Sequence, residues 1–249
     1  MIRLDSVGHD YGSGAVLEDI DTRIAPGLIT VVCGPNAVGK TTLLRIAAGL
    51  LEPTTGQVYL GEDSMGSLGA REQARRRGFM SQRFDCSTGF TVRQILRLAG
   101  LAGSARRDDE ETLLDSLELS RLLERSVGTL STGQAQRVAF ARLLLQCPDD
   151  GVLILDEPFA ALDPRWSSVL ADQLRARAAS GSTVLVSIHD LGLVGQLADE
   201  VLLLADSRVS AHGSVESVLV EEVLARAYGI GFEVLRSGSG GPIPISVRR

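Results

Sequence analysis

Eight consecutive residues, Gly34-Pro35-Asn36-Ala37-Val38-Gly39-Lys40-Thr41, follow the pattern GxxxxGK[ST]. Glycines at both ends let the backbone wrap tightly and turn successive N–H groups inward. Lys40 supplies a point charge for β- and γ-phosphates, and the Thr41 hydroxyl is a hard oxygen ligand suited to Mg2+. A helix starting at Lys40 adds the positive end of its dipole. The chemistry of such a loop is the binding of a nucleoside triphosphate.

A phosphate cradle also needs a metal partner and a group to activate water. The stretch "VLILDEP" offers both. Asp156 closes an apolar run and can hold Mg2+ directly or through water. Glu157, the next residue, can polarise the attacking water as general base. Two carboxylates ending an apolar strand are costly unless a cation or hydrogen bonds meet them. Together the loop and the pair point to hydrolysis. The loop alone does not separate a transport motor from a kinase or a GTPase.

These residues need elements to hold them. "LITVVC" reads as a buried strand running into the glycine loop, and "KTTLLRIAAGL" as a helix closing at Gly49. The first 34 residues alternate like short strands with Gly and Pro turns. "GQVYLGED" is a further short strand, and the basic run in "REQARRRGFMSQ" reads as a solvated helix face. "TVRQILRLAGL" and "EETLLDSLELSRLLERSV" have helical spacing, and another helix begins at Ser131. "GVLILDEP" and "STVLVSIHD" are continuous apolar runs flanking a helical "PRWSSVLADQLRARAAS". Such runs suit central strands of a parallel sheet, so the core is α/β. The tail "GSVESVLVEEVLARAYGIGFEVLRSGSGGPIPISVRR" adds a short helix and ends in Gly/Ser-rich, β-prone residues.

The stretch "LSTGQAQRVAFARLLLQ" resembles the LSGGQ signature and following QRVAxAR helix of ABC-type ATPases, and lies between the P-loop and Asp156 as in that family. The resemblance covers nearly the whole chain. Tyr11 stands at the adenine-stacking position, Gln82 of "FMSQ" at the Q-loop glutamine, "ALD" at 161–163 at the D-loop, and His189 at the switch histidine. It implies a P-loop NTPase core of the ABC type with an N-terminal antiparallel β-subdomain and an inserted α-helical subdomain. As domains this reads as one nucleotide-binding domain over 1–249. Its ATP-binding core is 1–83 and 131–212, its helical subdomain 84–130 and its C-terminal tail 213–249.

The resemblance also assigns roles. ATP would be held by Tyr11, Val16, the loop residues Gly34, Pro35, Asn36, Ala37, Val38, Gly39, Lys40 and Thr41, and Thr42. Mg2+ would be held by Thr41, Gln82 and Asp156. Glu157, His189 and Gln82 would act in catalysis, with Asp163 in the D-loop. Ser131, Thr132, Gly133 and Gln134 would face the ATP of a second copy, which implies a homodimer clamped by nucleotide. Thr132 departs from the pattern, because the family carries its first signature glycine there.

With 25 basic against 31 acidic residues, the chain carries no general footprint for nucleic acid. Cys33, Cys86 and Cys147 form no CxxC pair and read as small buried hydrophobes in a reducing compartment. His9 and His212 match no motif and read as surface residues. No apolar stretch approaches the ~18 residues that span a bilayer. The leading reading is therefore the ATPase subunit of an ABC transporter, peripheral on the cytoplasmic face and bound to integral membrane subunits. Phe84, Phe90 and the apolar side of "TVRQILRLAGL" are candidate contacts for them. "FTVRQIL" and the tail are similar to importers of iron-siderophores, haem and cobalamin, which implies an extracytoplasmic binding protein. An exporter subunit, a soluble ABC ATPase of cofactor assembly and, more remotely, a P-loop kinase stay open.

Overall fold

The computed structural model describes residues 1–12, 14–82, 84, 89–100, 110–236 and 241–247. Cys86 lies outside them.

The chain opens with β1 (Ile2–Asp10) and β2 (Ala15–Ile24), followed by β3 (Ile29–Cys33), α1 (Lys40–Ala47), β4 (Thr55–Leu60) and β5 (Asp63–Ser64). Then come α2 (Ala70–Arg76), β6 (Arg77–Met80), α3 (Val92–Ala99), α4 (Glu110–Ser116), α5 (Thr132–Gln146) and β7 (Val152–Asp156). The remainder is α6 (Pro164–Ala179), β8 (Thr183–Ser187), α7 (Leu191–Leu197), β9 (Glu200–Ala205), β10 (Arg208–Ser214), α8 (Val215–Val218), α9 (Glu221–Tyr228), β11 (Gly231–Arg236) and β12 (Pro242–Val247).

The central sheet runs β10-β9-β3-β8-β7-β6. Its pairs are parallel except β9–β10. All five residues of β3, β7 and β8 are buried, as continuous apolar runs require when both faces of a sheet are covered. Strand alternation divides them between two cores. Val31, Leu153, Leu155, Val184 and Val186 face the side packed by α3, α5 and α6. Val32, Val152, Ile154 and Leu185 face α1 and the antiparallel sheet β2-β1-β4-β5. The active loop therefore leaves a strand that is clamped from above and below.

Thr91 caps α3 through a reciprocal pair. Its hydroxyl accepts from Gln94 N and the Gln94 side chain accepts from Thr91 N. Val92, Ile95, Leu96 and Ala99 then fall on one buried stripe against α5. Phe84 packs partly buried against this core, whereas Phe90 is exposed.

Three expectations are corrected. The basic run is a solvated helix face only as far as Arg76. Arg77 begins a strand and is buried, because β6 must pair with β7 to finish the sheet. His9 is buried, with its ring edge-on to Tyr11 at 4.5 Å between centroids. His212 is exposed on β10 as expected, with its ring between the Thr22 hydroxyl at 3.0 Å and the Glu200 carboxylate at 3.6 Å. The tail is also more than one short helix. It contributes α8, α9 and the hairpin β11–β12, whose second strand lies against α7. A Cβ on Gly195 of α7 would fall 2.0 Å from the Pro242 carbonyl, so the hairpin seats where the helix lacks a side chain.

Candidate nucleotide site

At the carboxyl end of β3 the chain turns sharply. Gly34 has φ +146°, and a Cβ there would meet the Leu204 carbonyl at 2.3 Å. Gly39 has φ +105°, and its Cβ would meet Leu17 Cδ2 at 2.8 Å. Both positions need glycine for conformation and for space. Ala37 also adopts a positive φ of 61°, at a cost of about 1–2 kcal/mol for a residue with a Cβ.

The loop closes on its own lysine. Lys40 Nζ donates to the carbonyls of Gly34 at 2.8 Å and Pro35 at 2.9 Å. The side chain is buried, and desolvation lowers its pKa against the opposing pull of Glu157, Cys33 and Asp156. A buried cation short of charge compensation is a receptor for an anion.

Three strand ends meet beside it. Thr41 Oγ1 donates to Asp156 Oδ2 at 2.8 Å, and Ser187 Oγ donates to Asp156 Oδ1 at 2.7 Å. Ser187 Oγ in turn accepts from Glu157 N at 2.8 Å. Asp156 and Ser187 are register partners at the ends of β7 and β8, which is why a 31-residue separation becomes a contact. Asp156 is only 3% exposed, so its charge depends on these donors. The hydroxyl and carboxylate oxygens of Thr41 and Asp156 suit a small hard divalent cation. Among the described residues no other cluster of His, Cys, Asp or Glu offers a metal site.

Glu157 sits at φ 48°, past the end of the strand, and Gln82 Nε2 donates to its Oε2 at 2.7 Å. A cavity of about 200 Å³ is lined by Val16, Asn36, Ala37, Gly39, Lys40, Thr41, Thr42 and Glu157, all of them candidates from the sequence. His189 is exposed and shares a second cavity, of about 780 Å³, with Glu157 and Ser187. Tyr11 is 56% exposed at the rim, with its hydroxyl 3.3 Å from that of Thr42. An open aromatic face there is available for stacking. Pro35 contributes its carbonyl to Lys40, and Val38 packs under the loop against the core.

Ser131, Thr132, Gly133 and Gln134 line neither cavity. Ser131 caps α5, accepting from Gln134 N at 3.2 Å while its own N–H donates to Gln134 Oε1 at 3.0 Å. Thr132 is exposed on the first turn. Asp163 is the N-cap of α6, accepting from Trp166 N at 3.0 Å. Sequence reasoning missed Ser187, whose only local signal is a hydroxyl closing an apolar run. It also missed His9 behind Tyr11.

The model of the family described as "ABC transporter" matches residues 17–160, more than half of the chain. The chain belongs to the ABC transporter family. As an ABC ATP-binding chain it is an ATPase. A hemin import ATP-binding protein of Rhodopseudomonas palustris (strain BisB5) is 34% identical over 241 residues, covering 93% of this ABC chain and 91% of the relative. A solved ATP-binding subunit of an ABC transporter superposes with TM-score 0.81 at 26% identity, over 88% of this chain and 91% of the other. A dimeric bacterial ABC transporter cassette superposes with TM-score 0.77 at 26% identity, over 86% and 98%. That cassette is also known in a post-hydrolysis state bound to ADP and Pi. Among the described residues of the ABC chain, no helix is long and apolar enough to cross a membrane.

Proposed function

We propose that this chain is the ATP-hydrolysing subunit of an importer for hemin or a related metal chelate, of the iron-siderophore, haem and cobalamin class. The observation that carries the cargo class is the near full-length likeness to a hemin import ATP-binding protein. The chain works as a homodimer, a reading supported by the dimeric cassette of similar fold. It sits peripherally on the cytoplasmic face through integral membrane subunits, to which an extracytoplasmic binding protein delivers the cargo.

Its residues divide the work. The loop amides and Lys40 hold the β- and γ-phosphates, and Tyr11 takes the adenine. Thr41, Asp156 and Gln82 would hold Mg2+, which would supply positive charge against the phosphates. Glu157 orients and deprotonates the attacking water, and His189 donates toward the γ-phosphate. Ser131, Thr132, Gly133 and Gln134 complete the site of the second copy.

The deciding experiment is a pull-down from the native cell of the tagged Glu157→Gln chain, extracted in mild detergent. A polytopic membrane chain together with a periplasmic-type binding protein is expected. Soluble partners only, across several detergents, would sink the transporter reading in favour of an assembly ATPase.

A further inference from the structure

Three segments that the nucleotide cavity does not use converge on one side chain. Trp166 is the third residue of α6 and is half-buried. Its backbone N–H donates to the Asp163 carboxylate. The Arg137 guanidinium lies over its ring, 3.8 Å from Cζ to the centroid, and Arg165 lies over it at 4.9 Å. Both arginines reach onward to the same turn of the 110–122 segment. Arg137 Nη1 donates to the Leu117 carbonyl at 2.5 Å, and Arg165 Nη2 donates to the Glu118 carboxylate at 2.5 Å. Glu118 is at φ 49°, which marks that turn.

Arg137 is buried on α5, six residues after Ser131, and its Nε has no hydrogen-bond partner among the described residues. The indole face is therefore a principal neighbour of this cation. The same face of α5 touches the chain after Glu157 twice more. Gln136 Nε2 donates to the Pro158 carbonyl at 3.2 Å, and a Cβ on Gly133 would lie 3.1 Å from the Ala161 carbonyl. Gly133, Gln136 and Arg137 thus join the start of α5 to residues 158–166 as one body.

We propose that Trp166 is a positioning residue, with Arg137 and Arg165 as its clamps. It fixes the D-loop against the start of α5 and the Leu117–Glu118 turn, so that both segments arrive together at a second copy. This rests on the homodimer reading. The ring acts at no reacting atom. It holds the distance between two loops that serve the partner's ATP.

The test uses the full chain. Trp166→Leu stays apolar but removes the π face; it is smaller than tryptophan, as is Trp166→Phe, so the comparison of the two isolates the ring. It is expected to leave the KM for ATP within about two-fold and to lower kcat about five-fold or more, the scale of a desolvated cation–π contact. Trp166→Phe should recover most of that loss. Added to Glu157→Gln, Trp166→Leu should weaken the ATP-dependent dimer seen by gel filtration. Wild-type kcat in Trp166→Leu, or equal losses in the Leu and Phe variants, would overturn the positioning role. A dimer as tight with Trp166→Leu as without it would do the same while leaving the homodimer reading intact. No ATP-dependent dimer in Glu157→Gln alone would overturn both. Should Trp166→Leu fail to fold, exposed Arg165→Ala decides: a smaller kcat loss at unchanged KM supports the role, and none overturns it.

Discussion

The side-chain amide of Gln82 donates to the Glu157 carboxylate over 2.7 Å, although 75 residues separate them. The candidate base is thus tied to the segment that leads into the α3–α4 region. In this arrangement one carboxylate oxygen of Glu157 is engaged by the Gln82 amide. Glu157→Gln is expected to keep ATP binding and to lose about 100-fold or more in kcat, as removal of a general base does. Single-turnover hydrolysis measures it, and a wild-type rate would remove Glu157 from that role.

Lys40→Ala removes a buried ammonium that donates to two carbonyls of its own loop. ATP affinity should fall about 10- to 100-fold, as expected for a charge-assisted hydrogen bond. The melting temperature without ligand should change little, because desolvation already works against that charge in the folded chain. Equilibrium binding of a fluorescent ATP analogue reads the first. Unchanged affinity would dismantle the phosphate-cradle assignment.

Ser187→Ala deletes two bonds at once, the donor to Asp156 and the acceptor for Glu157 N. The buried carboxylate then lacks a donor, at a cost of about 1–3 kcal/mol. Glu157 also loses the anchor of its left-handed backbone. We expect a lower melting temperature, reduced kcat and nearly unchanged KM. A variant matching wild type in all three would show that Thr41 alone suffices to hold Asp156.

Burial pushes the Cys33 thiol up to about 12 and the Cys147 thiol up to about 11, from an ordinary 9.0. Folding therefore favours the protonated thiols. Their contribution is fully present below pH 9 and is lost as pH rises through 9 toward 11 and 12. Urea unfolding should give falling stability from pH 9 upward, with a shallower fall in Cys33→Ala. Both thiols should resist iodoacetamide at pH 8 until the chain is unfolded. Fast native labelling at either position would contradict their burial.

Thr132 is exposed on the first turn of α5, where its side chain meets no crowded wall. Thr132→Gly is expected to keep or raise the hydrolysis rate, with a helix cost of only a few tenths of a kcal/mol. A large loss in a steady-state assay would give the threonine a role of its own.

What could be read from the chain was whatever is written locally. The glycine loop, the capped start of α5 and the buried strands ending at Asp156 and near His189 each carry their signal within a dozen residues. The remaining features depend on pairing across the sheet. Ser187 becomes functional only because β8 lies beside β7 in a register that sets it against Asp156. Gln82 reaches Glu157 because β6 is the next strand outward. His9 looks like any strand histidine until the Tyr11 ring is laid against it. The β-prone end of the tail was legible, but the docking of the hairpin β11–β12 was not, because its seat, the bare surface of Gly195, belongs to another element.

Trp166 is the single tryptophan of the chain. Light absorbed at the red edge of the protein spectrum is therefore emitted from one spot, the ring beneath Arg137 and Arg165. Its emission colour and quenching report the place where the start of α6, α5 and the Leu117–Glu118 turn meet. The native protein carries its own optical gauge of that joint, with no label to attach and no second indole to subtract.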